Sequence, residues 1–108
     1  MIQEYEEVRR FLKTMVINSF SEATVKVEDM FTDEFNAYEF QILGSVVSDK
    51  FYNRLKNKAF EKYSQVIESF DFVSSGGFSE QATIIVYLRT PIDIRYEKID
   101  KIKSKIAV

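Results

Sequence analysis

The spacing of apolar residues along this chain changes from helical to alternating, and the change occurs twice. Apolar residues at intervals of three and four predict a first helix over about residues 3–19, and strict alternation predicts two strands within residues 23–44. A second helical run covers about residues 48–69, and strand-like runs follow at 69–75 and 82–90. Each helix is therefore expected to be followed by a pair of strands.

A last helical spacing lies near the end of the chain and predicts a third helix through Tyr96, Ile99, Ile102 and Ile106. Residues 92–96 fit the end of a strand as well as the start of this helix, so that boundary stays open. The order of elements is then α-β-β-α-β-β-α. This order predicts an α+β two-layer sandwich with a mostly antiparallel sheet and a long central helix. A length of 108 residues suits one domain, 1–108.

The long central helix has the clearest periodicity in the chain. Ser48 is expected to cap its first turn, because a serine oxygen can accept a hydrogen bond from a free N–H group there. The side chains predicted to be buried are Phe51, Leu55, Ala59, Tyr63, Val66, Ile67 and Phe70. This row continues through residue 70, so the helix is predicted to run to about Ser69.

The run at residues 82–90, "ATIIVYLRT", is apolar on both of its alternating sides. Ala82, Ile84, Val86 and Leu88 would share one side, and Ile85 and Tyr87 the other. Strands with this composition are typical of sheet interiors that are covered on both faces. The sequence therefore predicts a central strand covered by helices or by a partner subunit.

The chain has one adjacent pair of glycines, Gly76 and Gly77, between two strand-like runs. A phosphate-binding loop would need glycines at fixed spacing between a strand and a helix, and neither GxGxxG nor GK[ST] is present. Glycines between strands supply the positive φ angles of hairpin turns. The pair is interpreted as a hairpin turn.

The absence of histidine and cysteine excludes several chemistries. A chain without them has no Ser-His-Asp triad, no thiolate nucleophile and no imidazole or thiolate ligands for a metal. An enzyme made from this chain would have to rely on carboxylates, lysine, tyrosine or a borrowed cofactor, and the acidic stretch 28–39 lacks the spacing of a calcium loop. We expect no catalytic residues, no metal, no cofactor and no enzyme activity. No run of about 18 apolar residues is present to span a membrane. The N-terminus "MIQEYEEVRR" does not resemble a secretory signal, so a cytoplasmic location is expected.

Two sets of residues are candidates for binding a protein. Met30, Phe31 and Phe35 lie within an acidic stretch, and apolar anchors rimmed by charge are typical of protein interfaces. Ile85 and Tyr87 form the second apolar side of the predicted central strand. The alternative for Phe31 and Phe35 is that they fold back into the core.

A basic row is predicted on the second helix, where Lys50, Arg54, Lys58 and Lys62 recur every four residues beside Tyr52. Like charges at this spacing repel each other weakly, and nucleic-acid phosphates or an acidic protein surface would relieve the repulsion. Tyr52 would be placed to stack on a base. The alternative is an ordinary solvated helix face, and the acidic pI of about 5.2 favours that alternative over nucleic acid.

Charge is distributed unevenly along the chain. Residues 1–49 have ten acidic and four basic side chains, a balance of −6, and residues 50–108 have seven and eleven, a balance of +4. If the fold keeps the two halves apart, the unlike surfaces favour self-association or an oppositely charged partner. We therefore expect a non-enzymatic protein-binding or assembly protein that forms a homo-oligomer and contacts another protein. A structural or inhibitor protein of a virus or mobile element, in the host cytoplasm, would also suit this composition. The alternative function is nucleic-acid binding through the basic row.

Overall fold

The computed structural model describes residues 3–75 and 80–90 of the chain. It contains two helices and four strands: α1 (Gln3–Ser19), β1 (Thr24–Phe31), β2 (Asn36–Leu43), α2 (Asp49–Tyr63), β3 (Ile67–Ser75) and β4 (Gln81–Leu88). The predicted α+β class is confirmed. The predicted third helix lies in residues 91–108, outside the described residues.

The four strands form one antiparallel sheet in the order β1-β2-β4-β3. β4 therefore lies inside the sheet, as its apolar composition predicts, and β1 and β3 are its edges. The two glycines of the predicted hairpin turn lie outside the described residues. The strands on either side of them are antiparallel neighbours, with Ser75 opposite Gln81.

Both described helices pack against the same face of the sheet and enclose the hydrophobic core. The helices contribute Val8, Leu12, Leu55 and Ala59, among others, and the sheet contributes Tyr38, Phe40, Ile42, Ile84, Val86 and Leu88. All of these side chains are fully buried or nearly so. Burying a leucine or isoleucine contributes about 2 kcal/mol, so this one layer of helices accounts for much of the stability of the fold.

α1 begins and ends close to its predicted bounds, and its buried side chains Tyr5, Val8, Leu12 and Val16 follow the helical period. Glu4 and Glu6 lie in its first turn, where negative charge interacts favourably with the helix dipole. The Tyr5 hydroxyl donates a hydrogen bond to the backbone carbonyl of Arg89. This bond joins the first helix to the end of the last strand.

α2 begins where the sequence predicts, with Ser48 as its cap. The Ser48 Oγ accepts a hydrogen bond of 3.1 Å from the backbone N–H of Phe51. The helix is shorter than predicted and ends at Tyr63 rather than near Ser69. The N–H of Val66 donates to the carbonyl of Tyr63 in the turn that follows, and β3 begins at Ile67.

The error in the length of α2 has a simple physical cause. Val66 and Ile67 are buried, as the sequence predicts, but they are buried in a turn and at the start of a strand. Phe70 continues the helical spacing, and it also alternates with Phe72, which is the strand pattern that the structure shows. The predicted long central helix is therefore not confirmed.

Gly44 directly follows β2, and its backbone conformation favours glycine. Its φ of +92° lies in the left-handed region that residues with a Cβ rarely adopt. Its N–H donates a 2.8 Å hydrogen bond to the carbonyl of Glu80, just before β4. Of the two described helices, neither has the length and apolar character needed to cross a membrane.

Candidate protein-binding face

The antiparallel register decides which strand residues share a face of the sheet, because directly opposed residues lie on the same side. One face packs against α1 and α2. The other, which we call the open face, is the side that these two helices do not contact. Its members are Thr24, Lys26, Glu28, Met30, Ala37, Glu39, Gln41, Leu43, Ser69, Asp71, Val73, Gln81, Thr83, Ile85 and Tyr87.

One end of the open face is apolar. Met30 is opposite Ala37, and Ala37 is opposite Tyr87, so these three form a row across three strands. The ring of Phe35 lies 5.7 Å from that of Tyr87 in an edge-on arrangement. Ile85 follows on the same side of β4. Four of the five residues that the sequence proposed for protein binding are therefore brought together.

Phe31, the fifth of these residues, lies on the opposite face. Its ring is 6.0 Å from that of Tyr5 and 5.3 Å from that of Tyr38, both on the helix-covered side. Adjacent strand residues point to opposite sides, so Phe31 and Met30 cannot belong to one surface. The register therefore separates Phe31 from the other four residues, and its role in protein binding stays a prediction. Phe31 is 38% exposed.

Carboxylates line the next row of the open face. Glu28 is directly opposite Glu39, Glu39 is opposite Ile85, and Ile85 is opposite Asp71. Like charges in directly opposed positions destabilise a sheet by a few tenths of a kcal/mol. Among the strand residues that the register pairs on this face, three are carboxylates and Lys26 is a cation.

Asp71 is linked to Tyr87. Burial raises the pKa of Tyr87, and the hydrogen bond to Asp71 and the charge of that carboxylate raise this pKa further. The hydroxyl of Tyr87 therefore remains protonated near neutral pH and donates to Asp71. This hydrogen bond holds the tyrosine in place on the open face.

Sequence reasoning missed several members of this face, including Ala37, Glu39, Asp71 and Val73. Val73 is 65% exposed. The alternation of Tyr38, Phe40 and Ile42 predicts the buried side of β2. The residues between them therefore belong to the other side of the strand. What the sequence lacks is the register, which alone places Glu39 beside Ile85.

The cations of the predicted basic row are all exposed along α2, at Lys50, Arg54, Lys58 and Lys62. The Lys62 ammonium lies 5.3 Å from the ring centre of Phe11 on α1, and the Arg54 guanidinium lies 5.7 Å from that of Phe51. Cation–π contacts at exposed sites contribute about 0.5–1 kcal/mol. Within the part of the chain that the structure describes, no carboxylate forms a salt bridge with these four cations.

The ring of Tyr52 has aromatic partners within the chain. Its ring stacks on Phe72 at 4.6 Å with an angle of 17°, and Phe70 lies 6.5 Å away. Burial, and after it the negative charge of Asp71, raises the pKa of the Tyr52 hydroxyl. Tyr52 therefore packs α2 against the edge strand β3, and its stacking on a base stays a prediction.

Comparison with models of known protein families and with curated protein sequences finds no match for this chain.

Proposed function

We propose that this chain is a non-enzymatic protein-binding or assembly protein that forms a homo-oligomer through the open face of its sheet. The observation that supports this proposal most strongly is the position of Ile85 and Tyr87. They lie on the interior strand, half-buried, on the side away from both described helices. An apolar strand of this kind is typical of a sheet whose second face is also covered.

The open face has the composition that is typical of a protein interface. Met30, Phe35, Ile85 and Tyr87 form an apolar centre, and Glu28, Glu39 and Asp71 lie beside it. Interfaces commonly combine an aromatic and aliphatic centre with a polar rim. Because the backbone of β4 is already paired with β2 and β3, a partner would contact its side chains rather than add a strand to it.

The test is the molar mass of the full chain by light scattering at micromolar concentration, for the native sequence and for Ile85→Lys. The new ammonium group would be opposite Glu39 and Asp71, so the fold should tolerate the change while the apolar centre is lost. Val46→Lys is the matched control, because Val46 is 71% exposed and lies outside the sheet. We expect an oligomer for the native chain and the control, and a monomer for Ile85→Lys.

A monomeric native chain that captures no protein partner would contradict the proposal. Equal dissociation of Ile85→Lys and Val46→Lys would also contradict it, because the effect would then not be specific to the open face. Circular dichroism of each variant verifies that the fold is retained.

The exposed cations of α2 favour a second candidate function, nucleic-acid binding through Lys50, Arg54, Lys58 and Lys62. Phosphate contacts of this kind weaken steeply with salt. Titration of a labelled oligonucleotide at low and moderate salt tests it, with Lys58→Glu as the variant and Lys13→Glu on α1 as the control. Absence of binding at low salt excludes this function.

A further inference from the structure

The charge of the open face limits what can cover it. Among the strand residues that the register pairs on this face, Glu28, Glu39 and Asp71 are carboxylates and Lys26 is a cation. A two-fold dimer that joined two open faces would bury both acidic rows in one interface. Burial of such like charges is unfavourable, so a second open face is a poor occupant. A basic surface would complement this face better.

Of the two described helices, α2 is the basic one. It has five basic and two acidic side chains, a net charge of +3, whereas α1 has three of each. Within the part of the chain that the structure describes, no salt bridge involves the basic row of α2. The exposed members of this row are Lys50, Arg54, Lys58 and Lys62. The helix thus presents a basic surface to its surroundings.

The positions of the two surfaces indicate how they can meet. The buried side of α2 packs against the helix-covered face of the sheet, so its basic row and the open face lie on opposite sides of the chain. A copy therefore cannot bring its own α2 to its own open face.

The two rows also have similar lengths. The acidic row crosses the four strands from Glu28 to Asp71, a distance of about 14 Å at the usual spacing of strands. The basic row from Lys50 to Lys62 is about 18 Å long at the usual rise of a helix. One helix is thus long enough to place cations near each carboxylate of the acidic row.

From these observations we propose that the open face of each copy binds the basic row of α2 of another copy. This inference rests on the proposed function, since it names the occupant of the same face. The aliphatic stems of the lysines and the arginine would cover Ile85 and Tyr87, while their charged ends reach the carboxylates beside them. Because the two surfaces lie on opposite sides of each copy, the contact is head to tail and repeats from copy to copy.

The test reverses the charge of each surface separately in the full chain. The open-face variant combines Glu28→Lys with Glu39→Lys, and the α2 variant combines Arg54→Glu with Lys58→Glu. These four side chains are exposed or half-buried, so the fold should tolerate both variants, which circular dichroism verifies. The readout is the molar mass by light scattering of each variant alone and of an equimolar mixture of the two.

The matched control combines Arg10→Glu with Lys13→Glu on α1. It changes the net charge of the chain by the same amount as the α2 variant, but outside the basic row. A loss of association that is caused by net charge alone would therefore appear in the control as well.

We expect each variant alone to be a monomer, because its two contacting surfaces then have charges of the same sign. The equimolar mixture should form oligomers again, because each surface of one variant is complementary to a surface of the other. The native chain and the control should both have a mass that rises with concentration beyond that of two copies.

An α2 variant with the native mass would overturn the inference, as would equal dissociation of the α2 variant and the control. A native mass that stays at two copies at every concentration, or a mixture that remains monomeric, would also overturn it. If Ile85→Lys nevertheless dissociates the oligomer, the open face remains the contact surface and only its occupant is wrong. If Ile85→Lys leaves the mass unchanged, the proposed function itself fails.

Discussion

The two faces of the sheet differ in what covers them, although the same strands form both. Ile84 is 1% exposed and packs in the core beneath the helices, whereas Ile85, the next residue, is half-buried on the open face. The helix-covered face is almost entirely apolar, and the open face combines an apolar end with an acidic row. The first face contains the core that stabilises the fold, and the second is the surface through which we propose that the chain binds.

The position of the polar groups supports this division of roles. Among the described residues, no buried side-chain oxygen or nitrogen lacks a hydrogen-bond partner. The directly opposed glutamates of the open face, by contrast, repel each other.

The largest expected difference between the faces is in stability. Ile84→Ala should lower the free energy of unfolding by about 3 kcal/mol, because it leaves a cavity in a packed core. Ile85→Ala should lower it by about 1 kcal/mol or less, because this side chain is only half-buried. Urea unfolding at the lowest workable protein concentration measures both, since association then contributes least. Equal losses would show that the faces are not distinct.

Met30 and Phe31 are neighbours on the edge strand β1 and belong to opposite faces of the sheet. Substitutions of these two residues should have smaller effects than those of Ile84 and Ile85. Phe31→Ala should lower the free energy of unfolding by about 1–2 kcal/mol without changing the molar mass, because the ring packs on Tyr5 and Tyr38. Met30→Ala should weaken association and change stability little. The outcome that would contradict this assignment is loss of the oligomer in Phe31→Ala and not in Met30→Ala.

The smallest expected difference concerns pH. Burial, together with the charges of Glu6 and Asp29, raises the pKa of Tyr38 on the helix-covered face to about 12 from the ordinary 10. A raised pKa in the folded state gives stability that is complete below pH 10 and is lost as the pH rises towards 12. Tyr38→Phe should therefore flatten the alkaline loss of stability more than Tyr87→Phe does. Urea unfolding at a series of alkaline pH values measures this, and a larger effect of Tyr87→Phe would reverse the comparison.

The spacing of apolar residues within each element is sufficient to predict most of the helix-covered face. The period of Tyr5, Val8, Leu12 and Val16 defines α1, and the alternation of the core residues defines the strands, because each signal comes from one element alone. The end of α2 could not be predicted in this way. Val66 and Ile67 satisfy a helical spacing and a strand start equally well, and only packing against β4 decides between them.

The sequence predicts less of the open face, because the pairing between strands determines which residues share that face. The proximity of Met30 to Tyr87 depends on Ala37, which lies between them in the register. Met30 and Phe31 are adjacent in the sequence, but successive strand residues point in opposite directions and therefore belong to different faces. Tyr52 was likewise placed by its distance along the helix, and the stacking partner Phe72 lies on another element.

The claim at the centre of this account is that the side of the sheet opposite the helices is where copies of the chain meet. Light scattering of Ile85→Lys tests it most directly. The account predicts a folded monomer at a concentration where the native chain and Val46→Lys both remain oligomeric. A folded Ile85→Lys variant with the native oligomeric mass would contradict it.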